Sequence, residues 1–193
     1  MMKLSRRIII IIFIQTLVLM LMIANKQWTL STGIPVILET QPVDPRSLFR
    51  GDYVRLNYKI SQINLDELDG ADDFMRHDEV FVLLEKGEPY WQPVSLHKKM
   101  PFPSQGQIAI VGKVKRVSDS FWNAETRKSE KKKNISVKYG IENYFVPEGT
   151  GRELERPSEG EKVSIKVSVD KRGKAGIKAV LLNNEERYVE SLF

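Results

Sequence analysis

Cysteine is missing from the chain altogether, which excludes disulfides, thiolate metal sites, thiol catalysis and lipid attachment through a thiol. Packing and hydrogen bonds must hold the fold together unaided. Histidine is scarce: His77 and His97 stand alone, with no partner at metal-ligand spacing. A true excess of one charge sign is lacking as well. The formal charge is +5, from 30 basic and 25 acidic groups, but Lys3, Arg6 and Arg7 sit in an N-terminal stretch without an acid, and apart from those three the balance is nearly even. Composition therefore gives no reason to expect a nucleic-acid partner. No repeat of fixed period is visible. Pro147 to Gly151 has the glycines of a flexible turn but neither the lysine nor the strand-to-helix setting of a phosphate loop, so no cofactor is expected.

What the sequence does have is one long apolar run. Ile8 to Ala24 is uncharged, relieved only by Gln15 and Thr16, and at about 1.5 Å per residue it spans roughly 25 Å, the short end of what a bilayer core demands. Lys26 and Trp28 follow as interfacial anchors, and Arg6 and Arg7 precede it. The positive-inside bias then predicts a single pass through the cytoplasmic membrane, N-terminus inside and the rest of the chain outside. A cleaved signal peptide would look similar, but cleavage needs small residues at alternating positions, and Met22 stands where the partner of Ala24 should be. A buried core helix would show a polar face, which this segment lacks. The expected organisation is a cytoplasmic tip and signal-anchor over 1–28, touching lipid through 8–24, and an exported domain over 29–193.

That domain reads as β. After a short polar linker, Val36 to Thr40 is a β-branched run; Tyr53 to Ile60 alternates, with Val54, Leu56, Tyr58 and Ile60 on one face. Ser61 to His77 has no period-2 pattern and predicts a short helix or an acidic loop. Val80 to Glu85 and Tyr90 to Val94 suggest a hairpin, with Pro93 confining the second strand to an edge or its end. Gln107 to Val117 is a long strand whose internal Gly112 suggests a bulge or bend. Ile135 to Val146 resumes strand character. Val163 to Asp170 alternates most cleanly, then turns at Asp170 to Gly173 into Ala175 to Leu182, and Arg187 to Phe193 offers a last edge strand. About eight to ten short strands predict a mainly β fold, an antiparallel barrel or sandwich behind the transmembrane helix.

One segment carries a recognisable signature. Arg50 to Tyr58 reads RGDYVRLNY, with Gly51, Asp52, Tyr53, Leu56 and Tyr58 in a Gly-Asp-Tyr-x-x-Leu-x-Tyr arrangement. This resembles the motif that names the GDYxxLxY family of membrane-anchored bacterial proteins, as do the flanking VDPRSLFR and the later YGIENYFVPEGTGRELE (Tyr139 to Glu155). The resemblance implies a single-pass protein associated with a multi-pass membrane partner, and it carries over no catalytic residue. Physically, Gly51 can take a left-handed backbone, Asp52 can accept turn N–H groups, and Tyr53 and Tyr58 fall on opposite faces of a strand. A turn plus a core strand accounts for all of that. The functional alternative gathers Arg50, Asp52, Tyr53 and Arg55 with Glu142, Tyr144, Glu148, Arg152 and Glu153 into one candidate binding groove.

Other constellations are weaker. Asp66, Asp69, Asp72 and Asp73 do not match calcium-loop spacing, so no metal site is expected and a solvated acidic segment explains them. The basic run Arg127, Lys128 and Lys131 to Lys133 reads as a solvated loop or a patch for anionic headgroups. Lys113 and Lys115 are faintly similar to the lysine strand of membrane-bound signal peptidases, but a serine is missing from the matching place, Ser47 lying too close to Gly51. The expected function is thus a membrane-anchored extracytoplasmic binding or accessory domain, more a non-enzyme than an enzyme, with a serine hydrolase of signal-peptidase type as the alternative.

Overall fold

The computed structural model describes residues 4–41, 53–118, 121–123, 128–130, 133–145 and 161–189, with side chains for 6–41, 55–118, 133–145 and 161–189. It begins with one helix, α1 (Leu4–Thr32). No glycine or proline interrupts the sequence before Gly33, so nothing stops the helix at the expected polar linker. It runs on through residues 25–32 into the domain. From Ile8 to Ile23 its large side chains are exposed and show no polar face, and it is long and apolar enough to cross a membrane. At about 1.5 Å per residue the whole helix measures roughly 43 Å, some 13 Å more than a bilayer's apolar core. The surplus is its docked end: Thr29 and Leu30 are buried.

Fifteen strands follow among the described residues, eight of them five residues or longer. One sheet has the order β15-β14-β13-β1-β3, built from β1 (Ile34–Gln41), β3 (Asn57–Tyr58), β13 (Val163–Val169), β14 (Ala175–Leu182) and β15 (Glu185–Val189). A second has the order β4-β11-β8-β6-β7-β5, from β4 (Gln62–Asn64), β5 (Asp69–Gly70), β6 (Glu79–Glu85), β7 (Gln92–His97), β8 (Gln107–Ser118) and β11 (Asn134–Lys138). Short pairs join β2 (Tyr53–Arg55) to β12 (Asn143–Phe145), and β9 (Phe121–Asn123) to β10 (Lys128–Glu130). All described pairings are antiparallel except β5 with β7. The sheets curl into a half-barrel. Its core lies between them, with Val36, Leu38, Ile165 and Val167 from one and Val80, Val82, Ile110 and Val114 from the other. Backbone bonds from Trp91 to Ile37 and from Val111 to Gly173 stitch the two together.

Three local expectations are revised. Tyr53 to Ile60 is not one strand. It breaks at Leu56, whose N–H turns to the Glu142 carbonyl, so that β2 pairs with β12 and β3 with β1, and it closes in a 3-10 turn at Lys59–Ser61. Of the two alternatives for Ser61 to His77, no α-helix forms and the acidic loop is what is found, interrupted by the short strands β4 and β5. Gly112 does not mark a bulge: its pairing with Val80 is regular, and the irregularity passes over Lys115 instead, where Ser136 faces Arg116 and Val137 faces Val114. The glycine is there for close packing, since a Cβ would sit 2.3 Å from Val137 Cγ1 and 3.0 Å from the Tyr139 ring. Strand β13 is covered on both faces, with Ser164 and Ser168 fully buried.

Candidate functional site

The motif region is built around two tyrosines. Tyr58 is fully buried, and its hydroxyl donates to the Ile141 carbonyl at 2.6 Å. Tyr139, also buried, donates to the Ile60 carbonyl at 2.6 Å. Each ring thus reaches across to the segment that carries the other, and the pair clasps the end of β3 to the Tyr139–Glu142 turn. Leu56 fills the core beside them. Gly140 makes the turn possible with φ +81°, a backbone conformation open to glycine at no steric cost. Glu142 completes it, its carboxylate accepting the backbone N–H of Tyr139 and of Gly140. Burial first, and the Glu142 charge second, push both tyrosine hydroxyls well above their ordinary range, so both stay protonated as donors.

Of the nine predicted groove residues, Arg50, Asp52, Glu148, Arg152 and Glu153 lie outside the described residues, as does the Tyr53 side chain. For the rest, the strand pairing is informative. Tyr53 faces Phe145, Val54 faces Tyr144 and Arg55 faces Asn143, so the motif strand and the Glu142–Tyr144 segment are hydrogen-bonded neighbours. Arg55 is exposed, Tyr144 is buried, and Glu142 is taken up by its own turn. Sequence reasoning missed Tyr139, whose signal was the Tyr-Gly-x-Glu run that calls for a tight turn.

Tyr144 leads into a cleft of about 550 Å³ between α1 (Asn25, Lys26, Thr29), the Gly140–Phe145 segment and the start of β14 (Lys174 to Ile177). Its back wall is the junction of helix and sheet. Thr29 Oγ1 donates to Asp170 Oδ2 at 2.8 Å, Ser168 Oγ donates to the Thr29 carbonyl at 2.8 Å, and the Gly33 N–H bonds the same carbonyl at 3.1 Å. Asp170 Oδ1 also accepts the N–H groups of Arg172 and Lys174, and Arg172 bridges from Asp170 to Asn25 Oδ1. Burial alone would raise the Asp170 carboxyl, but these hydrogen bonds outweigh it and hold the group below the ordinary carboxylate range.

Elsewhere, Asp72 and Asp73 pair with Lys133 and Lys98, and among the described residues no three His, Asp or Glu side chains converge. The basic run lies outside the described side chains except for Lys133. Lys113 and Lys115 are exposed on β8, and Ser47 is outside the described residues; a lysine that serves as a base is typically desolvated.

A protein-family model described as GDYXXLXY protein matches residues 15–180 of this chain. No match was found among curated proteins or among solved structures.

Proposed function

The chain belongs to the GDYXXLXY protein family, and from that premise we propose that it is a single-pass, signal-anchored membrane protein whose β domain stands outside the cytoplasm and acts by binding, as an accessory subunit of a multi-pass membrane protein. The observation that carries this reading is the junction. A helix fit to span a bilayer is built into the sheet through Thr29, Leu30, Ser168 and Asp170, with Gly33 alone between α1 and β1. A tether needs no such bonds. A rigid mount is useful where the domain must be presented in one orientation to something fixed in the same membrane. Gln15 and Thr16 add support, since they fall midway along the apolar run, where a glutamine side chain gains most from a hydrogen bond to a neighbouring transmembrane helix. Arg6 and Arg7 support the inside placement of the N-terminus.

The test has two arms. Because the chain has no cysteine, a single one introduced at Phe102, which is 99% exposed, should react with a membrane-impermeant maleimide on intact protoplasts, whereas one at Ser5 should not. The tagged full chain, extracted in mild detergent, should co-purify with a multi-pass protein, and Gln15→Leu or Asp52→Ala should weaken that recovery. Purification as a lone chain, or only with copies of itself, would sink the accessory role.

A further inference from the structure

We propose that a transmembrane helix of the multi-pass partner packs along one stripe of α1 and ends in the cleft between α1, the Gly140–Phe145 segment and β14. This rests on the reading of the chain as an accessory subunit. Helix phase is the first argument. Ile11, Gln15, Val18, Met22, Asn25 and Thr29 follow one another at alternating steps of four and three residues, the spacing of a heptad seam, and at about 100° per residue they all fall within about 40° of Thr29. The outer end of that stripe is the face on which the helix meets the sheet, since Thr29 is buried and bonds Asp170 and Ser168. Below the junction the stripe is bare: Met22, Val18 and Ile11 are 65%, 49% and 61% exposed. Gln15 is exposed there too, deep in the apolar run, where a neighbouring helix can hydrogen-bond its amide and lipid tails cannot. Thr16 stands about 100° round the helix from Gln15, off the stripe, and a threonine hydroxyl can bond the carbonyl four residues back in its own helix.

The cleft decides what fits on the stripe. Asn25 and Thr29 belong both to the stripe and to the cleft wall, so the cleft stands over Met22, which lies about 4.5 Å further in along the axis than Asn25. One turn of helix, about 10 to 12 Å across and 5.4 Å tall, takes up roughly 420 to 610 Å³, and the cleft holds about 550 Å³. Thr29 closes the stripe against the sheet, so the occupant's helix must end about one turn beyond the level of Ala24. A helix that runs outward and stops there presents carbonyls without partners and the negative end of its dipole. The cleft complements both. Lys174 lines it and is exposed; Asn25 accepts from Arg172 through its side-chain oxygen at 2.9 Å, which leaves its amide N–H2 to donate. Phe145, 78% exposed, stands in the lining with Ile141 and Ala175 and offers apolar surface to the last turn. A second copy of this chain does not fit, because two copies packed stripe to stripe would each bring a β domain into the space over the other's stripe. The occupant is a helix with no bulky domain at its outer end, as helices joined by short loops in a multi-pass protein are.

The experiment uses the full chain in its own membranes. The photoreactive residue p-benzoylphenylalanine is placed at Val18, Met22 or Phe145, along the stripe and in the cleft, and at Phe13 or Met20 on the opposite face of α1. After irradiation, one multi-pass protein should be trapped from Val18, Met22 and Phe145 and not from Phe13 or Met20, with the attachment points, mapped by mass spectrometry, climbing a single helix to its outer end in that order. Val18→Trp should cut co-purification of that protein by about fivefold or more, as overpacking of an interface does, and Met20→Trp should leave it unchanged, both at an unaltered melting temperature. Continued co-purification with adducts only to lipid, to this chain itself, or equally from both faces overturns the inference and leaves the accessory role standing. Trapping from Val18 and Met22 but from a different protein, or none, at Phe145 overturns it as well, since the helix would then not reach the cleft. Absence of any co-purifying multi-pass protein sinks the accessory role and the inference together.

Discussion

The junction under the β domain and the clasp in the motif region both tie segments far apart in the chain, Thr29 to Asp170 in one and Tyr58 to Ile141 in the other. Their chemistry is opposite. The junction centres on a buried carboxylate held ionised by donors, whereas the clasp is made of neutral hydroxyls that burial keeps protonated. One therefore weakens in acid and the other in alkali. The junction sets how the sheet stands on the helix, and the clasp sets how the motif strand meets its neighbour. Damage to the first should reach orientation, and damage to the second should stay local.

The largest effect is expected at Gly33. A Cβ there would lie 2.3 Å from Ser168 Oγ, 2.7 Å from the Thr29 carbonyl and 2.9 Å from the Val169 carbonyl carbon, two of which are backbone and cannot swing aside. Gly33→Val should cost about 3 kcal/mol in unfolding of the detergent-solubilised chain, as overpacking does at the upper end. Unchanged stability would mean that helix and sheet are not docked as described.

Asp170→Asn comes next, at about 2 kcal/mol, because charge-assisted hydrogen bonds are replaced by neutral ones and an amide N–H2 is turned toward donors. The pH dependence has a definite sign. A carboxyl held below its unfolded value stabilises the fold above the unfolded pKa, and that contribution is lost as pH falls through the lowered folded value. The wild type should lose stability below about pH 4, where an unfolded aspartate begins to protonate, and Asp170→Asn should flatten that limb.

Tyr58→Phe and Tyr139→Phe should each cost about 1 to 2 kcal/mol by leaving a buried carbonyl without its donor. Here the sign reverses. A hydroxyl raised above its unfolded value contributes fully below about pH 10, and above it stability falls by about 1.4 kcal/mol per pH unit for each tyrosine. The single variants should have shallower alkaline limbs than the wild type. Equal slopes would show that the rings are not buried as donors.

Legibility divided along the same line. The β13–β14 hairpin, the length of β8 and the place of Pro93 at the end of its strand could be read because period-2 patterns and turn residues are local signals. The break at Leu56 could not, since it comes from β2 and β3 having different partners, nor could the role of Gly112, which is set by Val137 and Tyr139 arriving from β11 and the turn beyond it. Thr29 and Asp170, 141 positions apart, gave no sign of each other. At the candidate site, the sequence offered the meeting of the motif with the Glu142–Tyr144 segment only as an alternative to a plain turn and core strand, and the β2–β12 pairing brings the two segments together through backbone bonds. The tyrosine clasp was not legible, because nothing in a single sequence says which hydroxyl meets which carbonyl.

The smallest expected effect is the most discriminating for the groove. Glu142→Gln keeps a side-chain oxygen that can accept the Tyr139 and Gly140 N–H groups, so the turn should survive at a cost under about 1 kcal/mol. What disappears is the negative charge that helps keep both tyrosines protonated, so the alkaline limb should extend over a narrower pH range, its onset unchanged because the unfolded tyrosines are the same. If Glu142 serves only its turn, the variant should co-purify with the membrane partner as the wild type does. Intact folding with lost partner recovery would instead place this carboxylate on a binding surface shared with Arg55 on the neighbouring strand. A cost well above 1 kcal/mol would mean that the charge itself, and not the acceptor geometry, holds the turn closed.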